Sequence, residues 1–375
     1  MFSLARKTLR HEWRRFLPAA LAVGFACLLQ LLQIAFVLGI FSSASVYVTG
    51  STATLWAGYP GTQSVNIGRP IRADVESRLR MDADVDRVEP FIWLDADWQG
   101  PRGSASVFVS GIDVHAEGML FARSLPQDTR LLLAAPDAVI VDRADLAKLG
   151  VKAGDNASIN GRRVRVVAVA QGLRALGGVN VLASLETARR LDPDAGSTPG
   201  PTYFVASLRA GARPDTVAAR LSGSRAFGPY EIWTAEDFAW RSELYWLFDT
   251  GAGAGVLFLA IIVFAAGAAI SSQALMGAVA GSIREYATLN ALGVGIAELR
   301  WVVLEQAFWV GLAGLAGAIV LGGLLLVLAR AQDVPVVLDL TVSLACMVVA
   351  LGVAAISGLA AVQDLRRADP ATLLR

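Results

Sequence analysis

The chain has 375 residues, 55% of them apolar and 17% charged, with a mean hydropathy of +0.52. Soluble domains carry about 25% charged residues, and here the deficit is gathered into bilayer-length apolar blocks, which excludes an ordinary soluble enzyme. With 33 Lys+Arg against 32 Asp+Glu the net charge is +1, so no global attraction to nucleic acid follows.

In chain order, residues 1–15 predict an interfacial helix on the cytoplasmic leaflet: Phe2, Ala5, Leu9, Trp13 and Phe16 share a stripe, flanked by Arg6, Lys7, Arg10 and Arg14. It leads into a first span, 16–41, at Pro18. This block is longer than a signal-peptide core and lacks a small-residue cleavage site. Three further blocks, 250–281, 306–329 and 340–363, reach the roughly 20 residues that cross a hydrocarbon core. Lys and Arg near the span ends cluster at the N-terminus, at Arg284 and Arg300, and at Arg366, Arg367 and Arg375, whereas the link 330–339 has only Arg330. Excess basic charge marks the cytoplasmic side, so both termini and the segment 282–305 are expected inside, and 42–249 outside.

The outer stretch holds 22 Lys+Arg and 24 Asp+Glu, near neutral, and is long enough for its own core. Asn160-Gly161 between Ala157-Ser158-Ile159 and Arg162-Arg163-Val164 predicts a two-residue hairpin. Val107–Val109 and Tyr203–Val205 read as strands. Residues 144–149 read as a helix stopped by Gly150, Ser184 as the cap of a helix reaching Leu191, and Pro214 as the first turn of another. The fold class expected is an α-helical membrane protein with four transmembrane helices and a large α+β extracytoplasmic domain between the first and second.

Thr234 followed by Asp237 resembles a capping box in which Asp replaces Glu. Phe238, Trp240, Tyr245, Trp246 and Phe248 then precede the second span, and such rings favour the headgroup level. These residues read either as a stalk running unbroken into the bilayer, able to carry motion, or as a simple anchoring belt.

Catalytic signatures are scarce. None of the three lysines (Lys7, Lys148, Lys152) follows a glycine, so a phosphate-cradling P-loop is excluded. His11 and His115 are expected on opposite sides of the membrane, which leaves no basis for a zinc site or a catalytic triad. His115 reads as a surface loop residue. The span centres carry no charge, with Glu305 only at the entrance to the third, which argues against an ion path. Gln30 and Gln33 in the first span either line a substrate path or bond between helices. Cys27 and Cys346 sit within apolar blocks, as lipid-facing or packing residues, and no disulfide framework is expected.

The cytoplasmic segment 282–295 is a short amphipathic pattern closed by Gly293, longer than a turn requires, and suggests a docking helix for a cytosolic partner. Arg284-Glu285-Tyr286-Ala287-Thr288-Leu289 with Ala291-Leu292-Gly293 resembles the coupling helix of ABC permeases in the FtsX/MacB superfamily. The Glu285–Leu289 core is similar to that of the DevC branch, which typically shows Lys where this chain has Asn290, a lost positive charge at the contact face. Gln33, Phe36 and Phe41-Ser42-Ser43-Ala44 also look like the DevC pattern around its first span. Asp369-Pro370-Ala371-Thr372-Leu373-Leu374-Arg375 resembles the superfamily's C-terminal ending, and Leu149-Gly150 with Gly154-Asp155 its recurrent outer-domain turn.

The resemblance implies four spans with the outer domain after the first and a dimer, most simply a homodimer. It also implies a separate ABC ATPase dimer that holds the ATP and magnesium, with no cofactor on this chain and no catalysis by it. Arg284, Glu285, Tyr286, Leu289, Leu292 and Gly293 would contact the ATPase, and Thr234–Asp249 would transmit motion. DevC-like members work with a HlyD-type periplasmic adaptor and an outer-membrane channel. The function implied is export of lipid-like or amphipathic cargo from a bacterial inner membrane; the alternatives are lipoprotein release, as in LolC and LolE, and FtsX-like regulation of cell-wall hydrolases.

Overall fold

The computed structural model describes residues 13–193, 200–222, 227–281, 288, 295–332, 334, 336, 348 and 352. The expected interfacial helix before residue 13, the coupling helix, the fourth span and the tail lie outside them, as do His11 and Cys346. Only Thr288, Val348 and Gly352 within those stretches are described, and all three are helical. The chain divides into two compact units, Met1–Gly39 with Gly255–Arg375, and Ile40–Ala254.

Three described helices are long and apolar enough to cross a membrane, over Phe16–Thr49, Gly251–Ala274 and Leu304–Ala331, and most of their length belongs to the first unit. Helix α1 (Trp13–Ser42) continues through Pro18. The expected change of element at that residue is therefore absent: proline forfeits one backbone bond there without ending the helix. A single helix, Ile296–Ala331, contains both the lead-in and the third span. It packs on α1, where Phe16, Val23 and Cys27 meet Ala307, Val310 and Ala318. Cys27 is thus a packing residue. At the crossing the backbones nearly touch: a Cβ on Gly24 would lie 2.9 Å from the Gly314 carbonyl oxygen. Small residues allow this approach, which is how helices associate in lipid.

The second unit, Ile40–Ala254, holds nine strands among its described residues, and their organising element is β2 (Val85–Gly100, 16 residues). Its first half pairs antiparallel with β8 (Tyr203–Leu208), which continues through β1 (Leu55–Gly58) to β9 (Glu231–Thr234). Its second half pairs with β3 (Gly103–Ile112) and with β5 (Asn156–Ile159). From β3 the ladder passes through β7 (Val179–Ser184), β4 (Ala138–Asp142) and β6 (Arg162–Ala170) back to β5. Six strands thereby close into a small barrel, and four form an open sheet sharing β2.

Alternation of side chains explains both cores. Leu55, Ala57, Phe204 and Ala206 face helices α3 (Val75–Arg80) and α7 (Pro214–Leu221), through Val75, Leu79, Val217 and Leu221. Trp56, Tyr203 and Trp233 point the other way, into a cluster with Tyr47, Phe91 and Phe121. The open sheet is buried on both faces, so its strands read as continuous apolar runs. Barrel residues Trp98, Val107, Val139, Ile159, Val166 and Val181 fill the second interior.

Local expectations in this unit hold. Asn160 (φ 50°) and Gly161 (φ 77°) form the hairpin turn between β5 and β6, the primed geometry that matches strand twist. Gly150 ends the short helix Leu146–Leu149 in the left-handed region at φ 67°. The Ser184 hydroxyl accepts the Thr187 N–H at the start of Leu185–Leu191, and Pro214 opens α7.

Candidate functional site

The C-terminal exit from the second unit begins at Thr234, whose side-chain oxygen caps helix α8 (Ala235–Leu244) by accepting the Asp237 N–H at 3.1 Å. The Thr234 hydroxyl donates to Asp237 Oδ2 at 2.8 Å. Asp is one methylene shorter than the usual Glu, and its carboxylate is engaged by the hydroxyl at the cap. The chain is also pinned by Ala235 N–H to the Thr54 carbonyl, 2.9 Å.

The five aromatic residues do not act as one belt. Phe238 is fully buried, stacked on Trp233 at 4.8 Å and 16° and packed against Trp56 and Tyr203. It belongs to the core of the second unit, because its position one turn into α8 faces the sheet. Trp246 donates Nε1–H to Ser64 Oγ at 3.1 Å and lies over Gly177, where a Cβ would come within 3.0 Å of the ring. Tyr245 meets Trp246 edge-on. Only Trp240 and Phe248 point outward, 62% and 61% exposed.

The expected unbroken rod is corrected as well. After α8 the helix widens into a π-turn at Tyr245–Asp249, and Thr250 is extended at φ −106°, ψ 142° before α9 (Gly251–Gly281) starts. Thr250 Oγ1 donates to the Trp246 carbonyl at 2.6 Å and accepts the Gly253 N–H at 3.1 Å, so it closes one element and caps the next. Gly253 is required by this junction: a Cβ would sit 2.1 Å from the Trp246 oxygen and 2.4 Å from that of Leu247. The alternating glycines Gly251, Gly253 and Gly255 lower helix propensity where the chain must turn.

Two clefts flank α8. One, about 620 Å³, runs beside β9 and carries Asp215, Asp237, Asp249, Arg241, Tyr245 and Trp240. The other, about 510 Å³, carries Arg123, Glu236, Glu243, Ala239 and again Asp237 and Trp240. Arg241 lies 3.7 Å from Glu231 and stacks over the Trp233 ring at 5.5 Å. Glu243 accepts the Ser45 hydroxyl at 2.7 Å. Sequence reasoning singled out Asp237, Trp240 and Tyr245 within the segment that ends at Asp249, but not Asp215 or Arg123, which reach the clefts from distant parts of the chain with no spacing to signal it.

In the first unit, Gln30 is 8% exposed and donates Nε2–H to the Phe264 carbonyl at 3.5 Å, a long bond between helices. Gln30 and Gln33 border a crevice of about 250 Å³ with Ile34, Ile261 and Phe264. His115 is exposed and bonded to Asp113, which pushes its pKa up. A buried charged group escaped sequence reading: Glu89 accepts the Met119 N–H at 2.8 Å and pairs with Arg87 at 2.9 Å, while Arg130 donates to the Asp113 and Leu120 carbonyls. Burial raises the Glu89 pKa above its ordinary 4.5. Among the described residues, no group of three His, Cys, Asp or Glu is placed to hold a metal.

Residues 19–223 match the MacB-like periplasmic core domain family, and residues 256–370 match the FtsX-like permease C-terminal family. Among solved structures, the periplasmic region of MacB from Actinobacillus actinomycetemcomitans is similar at 15% identity. That match covers 51% of this chain and 92% of that one, with a TM-score of 0.36. The extracellular domain of the noncanonic ABC-type transporter YknZ from Gram-positive bacteria is similar at 12% identity, covering 48% and 100%, with a TM-score of 0.35. No curated protein matches the sequence. With one family model spanning more than half the chain and the second taking up the helices that follow, this protein belongs to the FtsX/MacB superfamily of ABC-transporter permeases.

Proposed function

We propose that this chain is the mechanotransmission subunit of a DevC-like exporter in a bacterial inner membrane. A separate ABC ATPase hydrolyses ATP, with the magnesium ion bound there, and two copies of this chain pass the motion to their outer domains. A HlyD-type periplasmic adaptor and an outer-membrane channel receive lipid-like or amphipathic cargo. The observation that carries the reading is the amphipathic run from Arg284 to Gly293, with the DevC-like core Glu285–Leu289, in a superfamily permease. Arg284, Glu285, Tyr286, Leu289, Leu292 and Gly293 form the ATPase contact.

The segment from Thr234 to Asp249 is the transmission stalk, coupled to the outer domain through Phe238 and Trp246. Its π-turn and the extended Thr250 make it a jointed link, in place of the rigid rod.

The test is purification of the tagged chain in mild detergent with its partners identified by mass spectrometry. An ATPase with a HlyD-type adaptor is the expected result. An ATPase with a second permease and a lipoprotein carrier, or with a cell-wall hydrolase, replaces the export reading by one of the alternatives. Absence of any ATPase, or an ATPase retained undiminished by Glu285→Arg with Leu289→Asp, overturns the coupling-helix assignment.

A further inference from the structure

We propose that the two clefts and the Trp240 ridge between them form a docking surface for a basic polypeptide segment whose charges alternate with apolar side chains. The inference goes beyond the exporter reading and does not depend on the cargo.

Charge selects the partner's sign. Five carboxylates line the pair of clefts, Asp215, Asp237, Asp249, Glu236 and Glu243, against two cations, Arg241 and Arg123. Arg241 is already taken by Glu231, and Arg123 donates to the Thr49 carbonyl at 3.0 Å. None of the five carboxylates forms an ion pair among the described residues. An anionic lipid headgroup would be repelled here, and no metal grouping is present among the described residues.

Shape selects a polypeptide. Trp240, 62% exposed, stands between the clefts on the outer face of α8 and lines both. An exposed tryptophan flanked by pockets is the common centre of a protein–protein contact, where its large rigid ring is covered on binding. Ala239 and Val48 in one cleft, and Leu244 and Ile232 in the other, give apolar floors beneath the acidic rims. A segment that crosses the ridge places basic side chains against the rims and apolar ones in the floors.

The test uses the full chain in nanodiscs of zwitterionic phosphatidylcholine and a fluorescein-labelled peptide of roughly twelve residues, the length that would cross both clefts, alternating Arg and Leu. Gln–Leu and Glu–Leu peptides and empty discs serve as controls. Fluorescence anisotropy is expected to show binding of the Arg–Leu peptide alone. Trp240→Ala, and separately Asp215→Asn with Asp249→Asn, should each weaken it by about tenfold, the scale of losing a contact centre. These side chains are exposed, so thermal melting should confirm that the variants stay folded. Equal binding by wild type and variants, or by the Gln–Leu peptide, overturns the proposal. So does self-association of the wild-type chain that Trp240→Ala abolishes, which would assign the surface to a second copy.

Discussion

At the scale of single residues, the informative groups are the buried carboxylates. Asp142 is 3% exposed, and its two oxygens accept the N–H groups of Ala144 and Leu173 at 2.9 and 2.7 Å. Asp142→Ala would strand both donors, at about 1–3 kcal/mol each, so a loss of about 2–6 kcal/mol is expected. Denaturant melting of the full chain, followed by tryptophan fluorescence, measures it, and an unshifted midpoint would refute the account. Glu89 makes a pH-dependent prediction. Its folded pKa lies above 4.5 because burial penalises the charged form. The native state therefore binds more protons in that window, and wild-type stability falls as pH rises from 4.5 through the raised value. Glu89→Gln keeps an acceptor for the Met119 N–H and removes this slope. Its melting temperature relative to wild type should climb across the window and then level off.

At the scale of elements, caps and turns were legible because their chemistry is local. Asn160-Gly161, Gly150, Ser184 and Pro214 each fix a backbone angle or satisfy an N–H within a few residues. The Thr234 cap is of this kind, and Thr234→Ala should cost about 1 kcal/mol while Thr234→Ser restores most of it, as read by thermal melting of the full chain. The length of β2 was hidden because Pro90 interrupts it on paper and Asp95 and Asp97 look like loop residues. Tertiary pairing with β8, which runs through that proline to Phe91, and with β3 from Ile92 onward overrides both signals. The break at Thr250 was unreadable for a different reason. Gly251 to Gly255 is apolar enough to count as membrane span, and only the close approach of Gly253 to the Trp246 carbonyl distinguishes a junction from a helix start. Phe238 was misread as interfacial because aromatic composition alone cannot tell a ring that faces the sheet from one that faces out.

At the scale of the whole molecule, apolar block length located the three helices that the structure describes as membrane-length, while their packing was not in the pattern. The α1 crossing with Ile296–Ala331 rests on Gly24 and Gly314, whose added Cβ atoms would meet backbone at 2.9 and 2.8 Å. Gly24→Leu or Gly314→Leu should separate the helices, and size-exclusion chromatography should show loss of the monodisperse peak while Gly323→Leu, with open space around it, leaves the peak intact.

Strand β2 sets the cooperativity of the second unit. One strand serves as a wall of the barrel and as a member of the open sheet, so neither can melt without stripping the other of a hydrogen-bonded neighbour. The second unit should therefore open as a single foldon. Amide hydrogen exchange at Val139 and Val181 in the barrel and at Val205 in the open sheet should report one shared opening free energy and respond equally to a destabilising change in either. A load applied anywhere on this unit is then borne by all of it.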